Sequence, residues 1–223
     1  MTQSSHLMNP RSERFALGAL IVVGAALAIF QDVADDQNDA DGQATDWKIL
    51  KALRSGGDPG DPVGPKWLKE SLTETSALGG ITVLTGITAV TAGGLALAGK
   101  RREALLTVGV FGGALALSEG LKNLFKRSRP PAEYRVAEAT NESFPSGHAL
   151  LSAATFMSLG ILFAQGAKTT TLRAFGLATG AATAACVGFS RIFLGVHWTN
   201  DVLGGWAAGS AWAATCWLAG RRR

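Results

Sequence analysis

Three short segments of the 223-residue chain carry side chains suited to binding and transferring a phosphoryl group: 122–130, 145–148 and 190–201. A tetrahedral phosphate is held best by several cationic donors. Arginine offers a planar fork to two oxygens at once, whereas lysine acts as a point charge. The candidate donors are Lys122, Arg129 and Arg191. Because they come from two separate segments, they can surround an anion only if the fold brings those segments together.

A second anion-binding feature is the sequence Pro-Ser-Gly-His at 145–148, which directly precedes an apolar run. If a helix begins there, the backbone N–H groups at Ser146 and Gly147 are free, and the positive end of the helix favours negative charge. Gly147 also lets the backbone approach a ligand closely, because it has no side chain. We therefore expect this segment to complete the phosphate site.

Two histidines supply the reactive groups. His197 and Asp201 are four residues apart, so on one helical face the carboxylate can contact the imidazole. Such a carboxylate fixes the tautomer and leaves the other ring nitrogen free to attack phosphorus. His148 can then protonate the leaving oxygen. The histidines and carboxylates near the motifs lack the spacing of metal ligands, so we predict neither a metal nor another cofactor.

The composition is that of a membrane protein. Hydrophobic residues make up 47% of the chain and charged residues only 17%, below the roughly 25% that is usual for soluble domains. The mean hydropathy is modest, at +0.19, because a polar stretch at 31–75 dilutes the apolar runs. The net charge of +4 does not indicate a nucleic-acid partner, since the basic residues stand in short clusters between those runs.

Six apolar runs predict a single all-α domain over 1–223, a bundle of six transmembrane helices. A span needs about 20 residues, and in lipid the backbone must satisfy its own hydrogen bonds. The first run also resembles a cleavable signal peptide, but we interpret it as a retained span. The six runs are 15–30, 78–98, 104–121, 149–164, 172–189 and 202–218.

The basic residues of the loops predict the orientation of these spans. They cluster on the side that holds both termini and the loops at Lys100 and Lys168, so that side is predicted to be cytoplasmic. The opposite side holds the loops 31–76, 122–145 and 190–200, and with them all the candidate chemistry. We therefore predict a multi-pass protein of the inner (plasma) membrane whose catalytic loops face the periplasm or the exterior.

The long outward segment at 31–75 has its own organisation. Residues 32–46 are acidic and polar, and we expect them to be solvated and mobile. Trp47, Leu50 and Leu53 then recur at helical spacing, which predicts a short amphipathic helix. Such a helix can lie at the lipid headgroups or form an ordinary protein surface, and the sequence does not decide between the two.

Each chemical segment alone has an ordinary explanation, such as a membrane anchor, a helix cap or a structural hydrogen bond. Their combination is more specific: Lys-x6-Arg-Pro, then Pro-Ser-Gly-His, then Ser-Arg-x5-His-x3-Asp. This pattern resembles the type 2 phosphatidic acid phosphatase superfamily and matches it at every motif position. The resemblance covers 122–201 strongly, and the six-span arrangement extends it over most of the chain.

The resemblance implies a helical bundle with its catalytic loops clustered at one end. It implies that His197 is the nucleophile, Asp201 its partner and His148 the acid. The residues that it implies for phosphate binding are Lys122, Arg129, Ser146, Gly147 and Arg191. The acidic stretch at 32–46 does not belong to the family pattern, so the resemblance assigns it no function.

The expected activity is metal-independent hydrolysis of a phosphomonoester or diphosphate of a membrane lipid. Candidate substrates are a polyprenyl diphosphate, phosphatidylglycerol phosphate, phosphatidate and a lipid A phosphate. A lipid phosphotransferase on the same scaffold is an alternative, because a phosphohistidine can also pass its phosphoryl group to a lipid hydroxyl. A vanadate-dependent haloperoxidase and a non-catalytic anion-binding membrane protein are further alternatives. The sequence does not indicate the oligomeric state.

Overall fold

The computed structural model describes residues 10–37 and 39–220, and most of this part of the chain is helical. Arg221, Arg222 and Arg223, together with the side chains of Arg11 and Arg14, lie outside the described residues, although the predicted orientation uses their charges. The elements are α1 (Pro10–Asp36), α2 (Ala40–Ala52), β1 (Arg54–Ser55), β2 (Asp58–Pro62), α3 (Lys66–Ala77), α4 (Ile81–Leu97), α5 (Arg101–Phe125), a 3₁₀ turn (Ala132–Tyr134), α6 (Gly147–Gly166), α7 (Thr170–Phe193) and α8 (Thr199–Ala219).

Each predicted apolar run lies mainly within one of the long helices. Among the described residues, four helices are long and apolar enough to cross a membrane, namely α1, α5, α6 and α7. The pair α3 and α4, bent by 53° at its break, makes a fifth if it counts as one span. The sixth run forms α8, which has 21 residues but is not in this set, since its glycines and tryptophans lower its mean hydropathy. Six spans therefore stay a prediction.

Helices α6 and α8 pack closely against each other, and glycine makes this possible. A Cβ on Gly205 would lie 2.7 Å from the carbonyl oxygen of Ser146, and a Cβ on Gly209 would overlap the carbonyl oxygen of Leu150. Without a hydrophobic force between helices in lipid, small residues that let backbones touch are the main source of packing contact. The helix that carries His148 is thus held directly against the helix that carries Asp201.

The apolar core lies where α4, α5, α6 and α8 meet. Its buried members are Leu84, Val110, Phe111, Ala114, Leu150, Leu151, Ala154, Ala208 and Ala213. At one end of the bundle, Phe144 packs against Phe30 and Phe125 with ring centroids 5.5 and 4.9 Å apart. These contacts fix the ends of α1 and α5 against the loop that leads into α6.

The segment between the first two apolar runs differs from its prediction. Helix α1 continues to Asp36, and a short antiparallel pair, β1 and β2, adds strand structure to the predicted all-α fold. Helix formation through the second strand is blocked by its sequence Asp-Pro-Gly-Asp-Pro. The expectation of a solvated stretch at 32–46 is wrong for part of it. Val33, Ala34, Gln37 and Asp46 are buried, and Asp46 is only 1% exposed.

The predicted amphipathic helix exists as α2, and part of its apolar face contacts protein. Leu50 is 2% exposed. Trp47 packs edge-on against Tyr134 and Trp198, with ring centroids 5.6 and 5.0 Å away. Arg54, two residues after the end of the helix, donates to the carbonyl oxygens of Tyr134 at 2.8 Å and Phe193 at 2.9 Å. Helix α2 is therefore docked onto the end of the bundle that holds the catalytic motifs.

Candidate active site

The three motif segments meet around one cavity of about 310 Å³ at an end of the bundle. The C-terminal ends of α5 and α7 and the N-terminal end of α6 all reach it. The predicted site residues that line this cavity are Lys122, Arg129, Gly147, His148, Arg191 and His197. Lys122 and His197, which are 75 positions apart in the sequence, thus line the same cavity. The spacing of the motifs alone could not establish this proximity.

His197 and Asp201 do contact each other, but by a geometry that differs from the predicted one. His197 lies in the turn before α8, not on a helix, and Asp201 is the third residue of α8. The Asp201 carboxylate reaches back over the helix start, where Oδ2 accepts from the Trp198 N–H at 2.9 Å and lies 3.3 Å from His197 Nδ1. The same carboxylate therefore caps the helix and orients the imidazole.

The surroundings of His197 favour a neutral ring with a free lone pair. The residue is 2% exposed, and burial lowers the pKa of His197 well below its ordinary value, although Asp201 raises it. If Nδ1 carries the proton toward Asp201, Nε2 is the unprotonated nitrogen. Nε2 lies 3.0 Å from Nη1 of Arg129, a donor that requires an acceptor there. The arrangement is suited to nucleophilic attack by Nε2.

Arg129 is fixed by backbone and side-chain acceptors on several sides. Its Nε donates to the carbonyl oxygen of Asn141 at 2.6 Å, Nη2 to Oδ1 of Asn141 at 2.6 Å, and Nη1 to the carbonyl oxygen of Val196 at 2.7 Å. Burial lowers the pKa of Arg129, but an arginine stays charged in proteins. A positive, oriented fork therefore stands beside the candidate nucleophile.

Lys122 approaches the cavity from the last turn of α5. Its Nζ donates to the carbonyl oxygen of Glu142 at 2.5 Å. A Cβ on Gly147 would lie 3.3 Å from Ser118 Oγ and 3.8 Å from Lys122 Cε. The glycine therefore leaves open the space beside the lysine at the N-terminus of α6.

Arg191 lies in the last turn of α7 and has an unused donor. Its Nη1 donates to Ser76 Oγ at 2.5 Å. Its Nε is buried and has no hydrogen-bond partner among the described residues. A buried charged donor without a partner is costly. An incoming anion oxygen could accept a hydrogen bond from this Nε and remove that cost.

Ser146 and His148 occupy different positions at the start of α6. Ser146 is the N-cap residue, and its Oγ accepts from the Ala149 N–H at 3.5 Å. It is 0% exposed and does not line the cavity, so its hydroxyl serves the helix. His148 does line the cavity, as does His197. The imidazole of His148 is therefore in a position to meet a leaving group.

Sequence reasoning did not identify three residues that hold Asp201 and its surroundings. Ser143 Oγ makes a short hydrogen bond to Asp201 Oδ2. Arg127 Nη1 donates to Asp201 Oδ1 at 2.7 Å, and Arg127 Nη2 donates to Asp46 Oδ2 at 2.7 Å. Arg127 lies inside the first motif segment, and its charge could have indicated that it belongs to the site. Nothing near Asp46 in the sequence marks that residue as part of the site.

The fold and the site together define a membrane helical bundle with a cationic cavity beside a histidine–aspartate pair. The chain belongs to the PAP2 superfamily, whose family model matches residues 103–223. This family includes membrane-bound phosphatases of lipid phosphates, and the chain is accordingly a multi-pass membrane protein.

Two relatives with assigned names are similar to this chain. Phosphatidylglycerophosphatase B of Bacillus subtilis is 33% identical over 149 residues, which is 64% of this chain and 70% of that protein. Undecaprenyl-diphosphatase of Sulfolobus acidocaldarius is 32% identical over 102 residues, and the match spans 44% of this chain and 45% of that relative.

Two solved structures are also similar. The crystal structure of a transmembrane PAP2-type phosphatidylglycerolphosphate phosphatase from Bacillus subtilis superposes with a TM-score of 0.79 at 25% identity, covering 87% of this chain and 93% of that one. The structure of Aquifex aeolicus LpxE has a TM-score of 0.59 at 18% identity, covering 77% of this chain and 93% of that one. The second likeness shows the fold alone.

Proposed function

We propose that this protein is an integral membrane phosphatase that hydrolyses a phosphomonoester or diphosphate of a membrane lipid. One observation carries the proposal: Nε2 of the buried His197 lies 3.0 Å from the Arg129 guanidinium in a cavity that Lys122, Arg191 and His148 also line. A nucleophile, a cluster of cations and a second histidine therefore share one chamber. This is the set of groups that phosphoryl transfer through histidine requires.

In the first step, Nε2 of His197 forms a bond to phosphorus as the bond from phosphorus to the lipid oxygen breaks. A protonated His148 gives its proton to that oxygen, which leaves as a lipid alcohol, or as a lipid monophosphate if the substrate is a diphosphate. Asp201 stabilises the positive charge that develops on the imidazole of His197 through its contact with Nδ1. The result is a phosphohistidine and one free lipid product.

In the second step, water attacks phosphorus and the bond to Nε2 breaks. The neutral His148 takes a proton from the attacking water, so His148 regains its starting form and inorganic phosphate is released. The charge of the transferring group is met by Lys122, Arg129, Arg191 and the backbone N–H groups at the start of α6. We propose that these groups make a divalent metal unnecessary.

The membrane bundle and the relatives support the proposed substrate class. A phosphatidylglycerophosphatase and an undecaprenyl-diphosphatase are both similar to this chain, which supports phosphatidylglycerol phosphate and a polyprenyl diphosphate as leading candidates. Phosphatidate and a lipid A phosphate are further candidates. A cavity at the end of a membrane bundle suits such molecules, because the headgroup can enter while the tails stay in lipid.

We also propose that all six apolar runs cross the inner (plasma) membrane and that the cavity opens toward the periplasm or the exterior. The distribution of charge supports this orientation. Lys100, Arg101 and Arg102 stand at the opposite end of α5 from Lys122 and the cavity. Short loops rich in Lys and Arg face the cytoplasm in most membrane proteins.

The decisive experiment is phosphate release by the purified protein across a panel of lipid phosphates and diphosphates in detergent or vesicles. We expect release from at least one leading candidate, and no release by His197→Ala. Product analysis with an added acceptor lipid distinguishes hydrolysis from transfer, since a phosphotransferase would yield a new lipid phosphate. Lipid binding without release of phosphate would contradict the proposal.

A further inference from the structure

Asp46 is a buried carboxylate in a segment that no catalytic motif includes. It lies in α2, its side chain is 0% exposed, and the acidic stretch around it is otherwise mostly exposed, with Asp39 and Asp41 on the surface. Taking a charge out of water is costly unless the charge is paired and hydrogen-bonded. The burial of Asp46 therefore requires an explanation in its contacts.

Both oxygens of Asp46 are connected to the start of α8, one directly and the other through Arg127. Oδ2 accepts from Nη2 of Arg127 at 2.7 Å, and Oδ1 accepts from the backbone N–H of Asn200 at 3.1 Å. Nη1 of the same Arg127 donates to Oδ1 of Asp201 at 2.7 Å. The planar fork of Arg127 thus ties Asp46 to the carboxylate that contacts the nucleophile.

This connection determines which oxygen of Asp201 faces His197. Arg127 occupies Oδ1, so Oδ2 is the oxygen left for Ser143, the Trp198 N–H and Nδ1 of His197. If Asp46 did not hold Nη2, the guanidinium of Arg127 could turn, and the Asp201 carboxylate would lose the partner that fixes its rotation. Helix capping alone requires Asp201 but not Asp46.

The charges of the three residues lead to the same conclusion. With both carboxylates ionised, the two carboxylates and the one guanidinium carry a net charge of −1, and Asp201 joins this set to His197. When Nε2 bonds to phosphorus, positive charge develops on the imidazole. A neutral residue at position 46 would leave Arg127 and Asp201 with no net charge, and the imidazole would be stabilised less.

We propose that Asp46 is a positioning residue for the nucleophile, acting through Arg127 on Asp201. The proposal rests on the proposed function in one respect, namely that His197 is the group that bonds to phosphorus. It also gives a function to the acidic segment after α1, which docks against the bundle and completes the support of the site from outside the motifs.

The test is a double-mutant cycle with Asp46→Asn, Arg127→Gln and the combination, measured in two ways. Vanadate forms a five-coordinate adduct with a nucleophilic histidine and needs no lipid substrate, so its affinity is measured by calorimetry on the purified protein. Turnover of the best lipid phosphate gives kcat and KM separately. Asp41→Asn is the matched control, because Asp41 lies on the same helix but is exposed, and His197→Ala defines the baseline without adduct.

We expect Asp46→Asn to weaken vanadate binding and to lower kcat by at least about tenfold, with KM close to that of Asp41→Asn. The thermal midpoint should fall below that of Asp41→Asn, because a buried ion pair is broken. We expect the double variant to be no worse than Arg127→Gln alone, because Asp46 has nothing to act through once Arg127 is gone. If Asp46→Asn does not fold, Asp46→Glu replaces it in the cycle. Glutamate keeps the charge but displaces the carboxylate, so the same loss is expected.

Either of two results would overturn the proposal: Asp46→Asn that matches Asp41→Asn in vanadate affinity, or losses that multiply in the double variant. Failure of the proposed function gives a different pattern. In that case the wild-type protein would release no phosphate from any lipid, while the vanadate cycle would still report whether Asp46 acts on the site through Arg127.

Discussion

Arg129 donates from Nη1 to Nε2 of His197 across 3.0 Å, so the candidate nucleophile is already paired with a residue of the candidate phosphate site. This hydrogen bond occupies the lone pair that would attack phosphorus. An incoming phosphate oxygen can take over the Arg129 N–H, and the lone pair of Nε2 then becomes free. Substrate binding and activation of the nucleophile are thereby linked through one guanidinium.

Replacing Arg129 or Arg191 with lysine keeps the charge but loses the planar fork. We expect each variant to lose at least about tenfold in kcat/KM, since a hydrogen bond to a charged group is worth roughly 1.5–3 kcal/mol. Phosphate release by purified variants measures the effect. Arg101→Lys is the control, because Arg101 is exposed at the far end of α5. Near-normal turnover in both site variants would mean that these residues only anchor the protein at the membrane.

The identity of the nucleophile can be read from a rapid quench with labelled substrate. We expect label on His197, no turnover by His197→Ala, and unchanged turnover of the wild-type protein in excess chelator, because Lys122, Arg129 and Arg191 supply the positive charge. Label on any other residue would refute the assignment of His197. Activity that is lost in chelator and restored by magnesium would refute metal independence.

His148 is expected to be needed for departure of the lipid and for the later attack by water, but not for the attack of His197 on phosphorus. We expect His148→Gln to hydrolyse lipid substrates at least about 100-fold more slowly, in line with general acid catalysis. With an activated aryl phosphate, whose leaving group needs no proton, phosphoenzyme should still form and then accumulate. The burst of aryl alcohol measures this. Equal losses with lipid and aryl substrates would argue that His148 binds phosphate instead.

Ser76 holds the guanidinium of Arg191 from the end of α3. We expect Ser76→Ala to raise KM by about three- to tenfold with a smaller effect on kcat. This is less than the full value of a hydrogen bond to a charged group, because Ser76 acts on the substrate only through Arg191. Steady-state kinetics on the best lipid substrate measures both constants. Ser71→Ala is the control on the exposed side of the same helix. A KM for Ser76→Ala equal to that of the control would exclude Ser76 as a support for Arg191.

The predicted orientation is open to a labelling experiment in intact cells. The native Cys186 and Cys216 are first replaced with alanine, and single cysteines are then placed at Thr140 or Thr170, both exposed positions. An impermeant thiol reagent should label Thr140→Cys and spare Thr170→Cys, since only the first lies on the predicted outward side. The opposite pattern would reverse the orientation and move the active site to the cytoplasmic face.

The three motif segments stand out in the sequence because each is short and chemically distinctive. Six candidate site residues were predicted from them, and the structure places all six around one cavity: Lys122, Arg129, Gly147, His148, Arg191 and His197. Phosphate binding by Ser146 stays a prediction. The structure confirms its position at a helix start, where its hydroxyl accepts from the Ala149 N–H and does not line the cavity.

The supporting residues could not be found from sequence, because their partners are far away along the chain. Asp46 is 81 residues from Arg127, and Ser76 is 115 residues from Arg191. An aspartate in an acidic stretch and a serine at a helix end are ordinary features in isolation. Only the docking of α2 and α3 against the bundle gives them a function, and no periodicity or spacing encodes that docking.

The contact between Gly205 and the backbone of Ser146 has a further consequence for how this site is specified. The separation of His148 from Asp201 is set where α6 and α8 touch, at positions that have no side-chain atoms at all. One added methyl group at Gly205 or Gly209 would push His148 and Asp201 apart without altering either side chain. The geometry of the candidate site thus depends on two glycines that carry no reactive group. A list of chemically active residues would not include them.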